Sequence, residues 1–369
     1  MKHILLFGPE LITAVEDNAY GGGSGGYTRN MATYLNYYKS EKFQLNPCFH
    51  TVRGAGKSNS FVVRFIKDAY RLCTHFLKIS PDCVHVLAQY RSAFPREYFV
   101  FFVSKVMRKP FLYEIKAGAF IDWYQKSSVG TRWVVRNLLR NSNSILVEGN
   151  VYRRYLKEKL NIESVYFPNF VPEEVIPKST SLRLDKPLLR VLFIGFCYEG
   201  KGVYELVKGL NIVASSGVKV SLSFVGHESQ DFSSWLDNYE KHDGLEIFRY
   251  GRLDYSETLT HFSKNDVYLY PSKHSGEGHN NTINEAMMYG IVIVCSRQGF
   301  LADILNHDEA YFLDKVTPEE VANALLEIHR DPNDALRRGE KAREKLEKCY
   351  SSTQAFEVLE SVYSGILPK

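Results

Sequence analysis

The segment VYLYPSKHSGEGHNNTINEAMMYGIVIVC, residues 267–295, contains the pattern that decides the fold. Two short apolar runs, 267–270 and 291–295, enclose a polar, glycine-containing loop and a helix-forming stretch at 282–289. Continuous apolar strands joined through a helix are typical of a parallel sheet that is covered on both faces. The segment therefore predicts a β-α-β unit whose loop lies at the carboxyl edge of the sheet.

The same alternation of strands and helices extends along the chain. Further apolar runs of strand length occur at residues 4–7, 84–87, 111–115, 145–147, 190–194 and 219–225. The 369 residues exceed what one hydrophobic core usually organises. We therefore expect an α/β protein with two Rossmann-like, doubly wound domains.

A proline-containing polar stretch separates the two predicted domains. Residues 171–187 contain three prolines and no periodic pattern. After the second domain, the segments 318–330, 334–348 and 353–367 are rich in strong helix formers. The predicted boundaries are an N-terminal domain at 1–172, a linker at 173–187, a C-terminal domain at 188–350 and a final helix at 351–369.

Composition excludes fibrous, disordered and membrane-spanning classes. Hydrophobic residues make up 44% of the chain and charged residues 24%, and no segment approaches the ~20 apolar residues of a membrane span. The six cysteines form no CxxC pair, which favours neither a disulfide framework nor a zinc site. We expect a cytoplasmic protein that requires no metal or other cofactor.

The two halves of the chain differ in charge. Residues 1–180 contain 25 Lys and Arg against 14 Asp and Glu, a net of +11, whereas residues 181–369 contain 21 against 28, a net of −7. A basic half favours an anionic partner, which can be a phosphate, a nucleic acid or a lipid surface. No nucleic-acid-binding motif accompanies the charge, so we expect no nucleic acid partner.

Two carboxylates bracket the polar loop of the opening segment. Glu277 lies in the loop and Glu285 lies about one turn inside the helix, with seven residues between them. Asn280 and Asn281 are good helix N-caps, and the amides of a helix start can hold a diphosphate. Carboxylates that accept hydrogen bonds from sugar hydroxyls on either side would then bind a nucleoside-diphosphate sugar.

Two glycine-rich loops offer further contacts to an anion. The sequence GFCYEGKG, residues 195–202, follows a predicted strand directly and places Lys201 at the carboxyl edge of the sheet. An earlier loop, GGGSGGY at 21–27, precedes a helical pattern at 28–38 and can bring the amides of Gly25 and Gly26 close to a phosphate. A solvated surface lysine and a flexible surface loop are the ordinary alternatives for these two features.

With these features the chain resembles the retaining glycosyltransferase family 4, whose signature is E-x7-E. The resemblance rests on the early glycine loop, FPNFV at 167–171, Lys201-Gly202, the Glu277 to Glu285 spacing and the helical tail. It implies the GT-B fold, with two Rossmann-like domains facing a central cleft and a C-terminal helix that crosses back to the N-terminal domain. It also implies a nucleotide-sugar donor and a glycan acceptor, with Glu277 on the transferred sugar, Glu285 on the ribose and Lys201 on the diphosphate.

Two positions depart from the family pattern. The family commonly has an arginine at the position of Phe196, so the diphosphate must be neutralised by Lys201, by amides at 280–282, or by a cation such as Lys273 or Arg252. The family often has a histidine after the strand at 111–115, and Lys116 occupies that place here.

The resemblance and the residue patterns together define a set of candidate site residues. The predicted catalytic residues are Glu277, Lys201 and Lys116. The predicted donor contacts are Gly25, Gly26, Gly195, Lys201, Arg252, Glu277, Gly278, His279, Asn280, Asn281, Thr282 and Glu285.

Basic residues in the N-terminal half recur at helical spacing. The first stripe runs through Arg64, Lys67, Arg71, His75 and Lys78, and the second through Arg132, Arg136 and Arg140. Basic helical faces of this kind can lie on an anionic bilayer, although ordinary solvated helix faces show the same pattern. We expect the protein to act at the inner face of the cytoplasmic membrane on an acceptor that is lipid-linked.

The sequence favours a metal-independent, retaining hexosyltransferase of cell-surface polysaccharide or lipopolysaccharide biosynthesis. Two alternatives stay open at this point. One is a nucleotide-sugar epimerase with the same architecture, which would act without an acceptor. The other is a non-catalytic subunit that binds sugar nucleotides, an alternative kept open by Phe196 at the arginine position.

Overall fold

The computed structural model describes residues 1–10, 23–50, 60–116, 118–179, 184 and 188–367. The chain divides into two compact units. Unit 1 comprises Met1–Pro172 together with Ser352–Lys369, and unit 2 comprises Glu173–Ser351. The described residues of the predicted linker, 173–179 and 184, therefore belong to unit 2, where Glu173–Val175 forms a 3₁₀ turn.

Unit 1 is built on a six-stranded parallel sheet with the order β2-β1-β3-β4-β5-β6. Its strands are β1 Lys2–Pro9, β2 Phe43–His50, β3 Cys83–Ala88, β4 Phe111–Ile115, β5 Ser144–Val147 and β6 Val165–Tyr166. The first helices of the chain are α1 Gly23–Tyr37, α2 Phe61–Ile79, α3 Phe94–Val106, α4 Phe120–Lys126, α5 Val129–Asn141 and α6 Asn150–Tyr155. A π-helical turn, Leu156–Leu160, continues α6.

Unit 2 contains a second six-stranded parallel sheet with the order β12-β11-β10-β7-β8-β9. Its strands are β7 Leu188–Ile194, β8 Lys219–Val225, β9 Leu245–Arg249, β10 Val267–Tyr270, β11 Val292–Ser296 and β12 Tyr311–Leu313. Its helices are α7 Val203–Ser215, α8 Gln230–Asp237, α9 Tyr255–Lys264, α10 Asn281–Tyr289, α11 Leu301–Ile304, α12 Pro318–Arg330 and α13 Pro332–Cys349.

The last helix, α14 Ser352–Ile366, belongs to unit 1. Its entry is fixed by a hydrogen bond from the Ser352 amide to the Val171 carbonyl at 2.8 Å. Leu359 and Tyr363 are fully buried in the same apolar cluster as Ile4 and Leu6 of β1. The predicted return of the C-terminal helix to the N-terminal domain is therefore confirmed.

Local sequence explains where the helices begin. The Ser128 hydroxyl accepts from the Thr131 amide at 3.1 Å and caps α5. Thr317 caps α12 in the same way, with Pro318 in the first turn, where its missing N–H costs nothing. The central strands are almost continuously apolar and buried, since helices cover both faces of each sheet.

Candidate active site

The candidate site lies at the topological switch point of the unit 2 sheet. Strands β7 and β10 are neighbours, with Val191 paired to Val267. The chain after β7 turns toward β8, whereas the chain after β10 turns toward β11 on the opposite side. The two connections diverge and leave a crevice at the carboxyl ends of the strands, which is where open α/β sheets bind ligands.

A lysine and a carboxylate from these two connections meet in the crevice. Lys201, in the turn after β7, forms an ion pair with Glu277, in the loop after β10. The Lys201 ammonium also donates to the hydroxyl of Tyr270 at 2.5 Å. Two of the predicted catalytic residues are thus in direct contact, although 76 positions separate them in the sequence.

Two buried hydroxyls hold the Glu277 carboxylate in place. The Tyr270 hydroxyl lies 3.2 Å from each carboxylate oxygen of Glu277 and donates to them, and the Ser272 hydroxyl donates to Glu277 Oε1 at 2.6 Å. Burial, with the negative charge of Glu277 as a second cause, raises the pKa of Tyr270 well above its usual 10. The tyrosine therefore remains a neutral donor, and Glu277, only 7% exposed, is a fixed carboxylate.

Close backbone contacts fix the two loops to each other. The Lys273 amide donates to the Gly200 carbonyl at 2.9 Å. Gly202 has φ of 69°, and a Cβ atom there would lie 2.0 Å from the carbonyl oxygen of Pro271. Only glycine combines this backbone conformation with this approach. The sequence Lys201-Gly202 therefore positions both the cation and the loop that contains Glu277.

The helix after this loop begins as predicted. Asn280 is the N-cap of α10, and its Oδ1 accepts from the Thr282 amide at 2.8 Å and from the Thr282 hydroxyl at 2.7 Å. The Tyr268 hydroxyl lies 2.6 Å from the same Thr282 hydroxyl. The N-cap side chain thus uses the Thr282 amide in this structure, and the contact of the amides at 280–282 with a diphosphate stays a prediction. Asn281 is the first residue of the helix and is partly exposed.

Glu285 and His279 lie on the buried side of the same segment. Glu285 is 1% exposed and His279 is 2% exposed. The His279 ring contacts the Asn284 side chain through Nε2 at 2.8 Å and packs edge-on against Tyr350. The second carboxylate of the E-x7-E spacing is therefore fixed within unit 2, and its predicted contact with the ribose stays a prediction.

Phe196, at the position where the family commonly has an arginine, packs among aromatic rings. Phe196 stacks on His227 with ring centroids 5.6 Å apart and on Tyr198 at 5.2 Å. Gly195, just before it, donates its amide to the Val225 carbonyl. Gly195 and Phe196 thus connect the ends of β7 and β8 through backbone and ring contacts, without adding positive charge.

The remaining cations predicted for this edge lie on its outside. Arg252 is exposed and follows the end of β9, after Gly251. Lys273 is paired with Glu205 at 2.7 Å. Gly278 follows Glu277 and is partly exposed. Lys201 is thus the predicted cation that the structure brings into contact with Glu277.

Lys116 belongs to a buried polar cluster of unit 1. Its ammonium lies 3.1 Å from Glu114, with both side chains at most 2% exposed. Glu114 also accepts from the Tyr34 hydroxyl at 2.9 Å and contacts His85 at 2.8 Å. His85 in turn contacts the Tyr363 hydroxyl of α14 at 2.8 Å. Lys116 is therefore an ion-paired residue of this cluster, and its catalytic role stays a prediction.

Part of the early glycine loop lies outside the described residues, namely positions 21 and 22. Gly25 and Gly26 lie in the first turns of α1, which begins at Gly23. The predicted helix start at residue 28 is therefore too late. The described part of the glycine-rich stretch, from residue 23 onward, therefore belongs to the helix.

Several residues of the two basic stripes already have intramolecular contacts. Arg71 pairs with Glu10 at 3.0 Å, Arg136 donates to the Tyr124 hydroxyl at 3.3 Å, and Arg140 donates to the Leu160 carbonyl at 3.4 Å. Lys67 and Lys78 are exposed, and Arg64 and Arg132 are partly exposed.

Among the described residues, no group of three or more His, Cys, Asp or Glu side chains is arranged to hold a metal ion. None of the described helices combines the length and the apolar character that crossing a membrane requires.

Sequence reasoning missed Tyr270 and Ser272. Both follow from the register, because β10 ends at Tyr270 and the chain then turns back over Lys201. The available signal was the position of two hydroxyl side chains at the carboxyl end of a switch-point strand. It was obscured because VYLY reads as an ordinary buried strand.

Comparison with known families supports a glycosyltransferase relationship for unit 2. Residues 172–345 match the family model of glycosyl transferases group 1, which covers almost all of unit 2 and somewhat less than half of the chain. The capsular polysaccharide biosynthesis glycosyltransferase CapM of Staphylococcus aureus is 23% identical over 179 residues, which are 47% of this chain. The match spans 46% of the length of that relative.

Solved structures resemble the chain over its whole length. Sucrose-phosphate synthase from Thermosynechococcus elongatus has a TM-score of 0.72 at 16% identity, covering 99% of this chain and 98% of its own. Anabaena Alr3699/HepE in complex with UDP-glucose has a TM-score of 0.69 at 13% identity, covering 99% of this chain and 100% of its own. The predicted fold class, two Rossmann-like doubly wound units of the GT-B type, is therefore confirmed.

Proposed function

We propose that this protein is a glycosyltransferase that transfers a hexose-type sugar from a nucleotide-sugar donor to a glycan acceptor, with retention of configuration. The observation that carries the proposal is the contact between Lys201 and Glu277 at the switch point of unit 2. It lies within the region that matches glycosyl transferases group 1. The similarity to CapM favours a role in cell-surface polysaccharide or lipopolysaccharide biosynthesis.

The geometry suggests how the donor is bound. Lys201 and Glu277 neutralise each other in the crevice. A donor diphosphate that reaches Lys201 would draw the ammonium away from Glu277 and leave this carboxylate to accept from the sugar hydroxyls. Tyr270 and Ser272 would keep the carboxylate in place during this exchange. A cation placed where the leaving diphosphate gains charge favours departure of the sugar.

The acceptor hydroxyl then bonds to the anomeric carbon on the face that the diphosphate has left, and its proton passes to the departing phosphate oxygen. Attack on this face retains the anomeric configuration. In this proposal Lys201 supplies the positive charge without a metal ion. Addition of EDTA should therefore leave turnover unchanged. Measurement of the anomeric configuration of the product by NMR tests the retention.

The donor can be identified by thermal stabilisation. UDP-, GDP-, ADP- and CMP-sugars would be compared, because a ligand that binds the folded state at 100 times its Kd stabilises it by about 2.7 kcal/mol. Neighbouring structures contain UDP or UDP-glucose, so UDP-sugars come first. A panel in which no sugar nucleotide raises the melting temperature would contradict the proposal.

Variants of the two loops test the assigned roles. Lys201→Ala should mainly slow turnover, and Glu285→Ala should mainly weaken donor binding. Lys273→Ala is the matched control, because Lys273 lies in the same loop as Glu277 but pairs with Glu205. Wild-type kinetics for both Lys201→Ala and Glu285→Ala would count against the roles proposed here.

Incubation with the donor alone separates the remaining functions. A transferase should hydrolyse the donor slowly, whereas an epimerase would change the sugar while it stays on the nucleotide. A binding subunit would leave the donor intact, and the absence of an arginine at Phe196 is the observation that favours testing it. For the acceptor we propose a lipid-linked glycan at the inner face of the cytoplasmic membrane, in keeping with the basic N-terminal half.

A further inference from the structure

Three neighbouring helices cover one face of the unit 1 sheet. α2, α3 and α5 connect β2 to β3, β3 to β4 and β4 to β5, so each crossover proceeds in the same direction across the sheet. Right-handed crossovers then place all three helices on the same face. Phe65 of α2 packs on Phe99 of α3 at 5.6 Å, and Tyr98 of α3 lies 3.4 Å from Asn137 of α5.

The outer surface of these helices is unusually apolar. Large hydrophobic side chains point outward from all three helices, and we call them the outer face of unit 1. They are Ile66 at 60% exposure, Tyr70 at 73%, Leu77 at 78%, Phe102 at 56%, Val106 at 63% and Trp133 at 66%. Surface apolar residues that occur singly are ordinary, but a cluster of this kind marks an interaction site.

The periodicity of α2 shows that this exposure is regular. Ile66, Tyr70 and Leu77 follow one another in steps of four and seven residues, which keeps them on one side of the helix. The residues that α2 buries, among them Leu72 and Phe76, lie on a different side. The helix therefore has two apolar sides, one in the core and one in solvent.

The exposed charged residues of α2, α3 and α5 are all basic. Lys67, Lys78, Lys105 and Arg108 are exposed beside its apolar residues. The acidic residues of α2, α3 and α5 are Asp68 and Glu97, and both are buried. Asp68 pairs with Arg96 at 2.8 Å, and Glu97 accepts from backbone amides and Tyr113.

We propose that the outer face of unit 1 inserts its apolar side chains into the headgroup region of an anionic lipid bilayer. Exposed apolar residues flanked by lysine and arginine have the chemistry that binds such an interface. A second copy of the chain is a poorer occupant. A symmetric contact would bring Lys67, Lys78 and Lys105 close to the same charges on the other copy. The proposal goes beyond charge attraction alone, since it assigns insertion to Ile66, Tyr70, Leu77 and Trp133.

Vesicle sedimentation of the full chain tests the proposal without donor or acceptor. Vesicles of phosphatidylcholine alone would be compared with vesicles that also contain phosphatidylglycerol. We expect binding to the anionic vesicles and much weaker binding to the neutral ones. Replacing Lys67 and Lys78 together by Gln should reduce binding by about tenfold or more. Lys219→Gln with Lys264→Gln, exposed lysines of unit 2, is the matched control for lost charge.

Apolar variants separate insertion from charge attraction. Ile66→Ser with Leu77→Ser should reduce binding to anionic vesicles by about tenfold or more, while Phe248→Ser in unit 2 should not. Quenching of tryptophan fluorescence by brominated lipids should fall when Trp133 is replaced by Phe. Circular dichroism and stabilisation by the donor check that the variants are folded, so failure of the proposed enzymatic function can be distinguished from failure of this proposal.

Three outcomes would overturn the proposal. The first is the absence of binding to anionic vesicles. The second is binding that the apolar variants leave unchanged, since this would indicate charge attraction alone. The third is a chain that is dimeric in solution and becomes monomeric on Ile66→Ser with Leu77→Ser, because the outer face would then be the contact between copies.

Discussion

Tyr270 illustrates how one side chain can connect the two halves of a site. Its hydroxyl accepts from Lys201 and donates to Glu277, so it orders a cation and a carboxylate that arrive on different loops. It is 2% exposed. A residue in this position acts through its neighbours, since it holds them at a fixed separation.

Tyr270→Phe should lower kcat by about tenfold or more, because a hydrogen bond to a charged group contributes about 1.5–3 kcal/mol. KM for the donor should change less, since the charges of Lys201 and Glu277 remain. Tyr311→Phe is the matched control, because it removes another tyrosine hydroxyl of the same sheet, which contacts Asp334. Steady-state kinetics of both variants provide the measurement. If Tyr270→Phe and Tyr311→Phe have equal kinetics, Tyr270 has no positioning role.

The pKa values of two buried glutamates of unit 1 are shifted in opposite directions. Burial alone would raise the pKa of Glu114, but the charge of Lys116 and the hydrogen bond from His85 bring the pKa below its ordinary 4.5. Burial raises the pKa of Glu97 above 4.5 despite its hydrogen bond from Tyr113. The stability contributed by Glu114 is therefore present above pH 4.5 and is lost as the pH falls through its folded pKa.

Melting temperatures of Glu114→Gln and Glu97→Gln, followed from neutral to acidic pH, test these directions. The advantage of the wild type over Glu114→Gln should shrink on acidification, because the wild type loses its paired carboxylate. Over the same pH range the melting temperature of the wild type should rise relative to that of Glu97→Gln, because a raised folded pKa favours the protonated native state. Parallel curves for the two variants would contradict the assigned directions.

At the scale of the element, loops fixed by glycine position the candidate site. Gly202 and Gly251 have nearly the same φ, 69° and 65°. A Cβ atom at Gly202 would meet the Pro271 carbonyl, whereas a Cβ atom at Gly251 would meet nothing within 4 Å. Comparison of the two glycines therefore distinguishes the cost of the left-handed backbone conformation from the cost of a close contact with Pro271.

Gly202→Ala should destabilise the protein more than Gly251→Ala. Both substitutions place alanine in the left-handed region, at about 1–2 kcal/mol, and only Gly202→Ala adds an overpacking cost of about 1–3 kcal/mol. Gly202→Ala should also slow turnover, because the loop of Glu277 must move. Denaturant unfolding measures the difference. The same loss of stability in both variants would show that the contact with Pro271 carries no cost.

The strands that the sequence predicted and those it missed differ in one physical respect. The eight predicted strands correspond to β1, β3, β4, β5, β7, β8, β10 and β11, which lie inside the sheets. The four missed strands, β2, β6, β9 and β12, are the edge strands of the two sheets. Edge strands are short or partly exposed, as in β9, so their sequences lack a continuous apolar run. The helices of the tail were predicted nearly to the residue, because helix-forming residues recur there in long runs.

The candidate site was predictable where a motif combines spacing with topology. Lys201 and Glu277 were identified from loops at the carboxyl ends of predicted strands, and the structure brings them together. The partner of Lys116 was not predicted, although Glu114 is two residues away in β4. Burial of a charged pair depends on packing by Tyr34, His85 and Tyr363, which come from distant parts of the chain.

At the scale of the whole molecule, each unit has its own core. Leu359 of α14 is fully buried in unit 1, and Leu346 of α13 is fully buried in unit 2. Two residues, Tyr350 and Ser351, connect the two helices, and the boundary between the units falls between Ser351 and Ser352.

Leu359→Ala and Leu346→Ala form a matched pair, each expected to cost about 2–5 kcal/mol in its own unit. Leu359→Ala should raise hydrogen exchange in the N-terminal sheet, and Leu346→Ala should raise it at 188–351. Mass spectrometry of peptides from each unit gives the measurement. An equal rise in both units for either variant would show that the two cores unfold as one.

The return of α14 to unit 1 has a consequence for synthesis on the ribosome. Residues 1–172 emerge first, but the apolar surface that receives Leu359 and Tyr363 stays uncovered until the last helix leaves the exit tunnel. Unit 2 is a continuous stretch of chain and can complete its core earlier. Unit 1 is therefore begun before unit 2 and completed after it, and nascent chains that stop before residue 352 should depend on chaperones more than chains that contain α14.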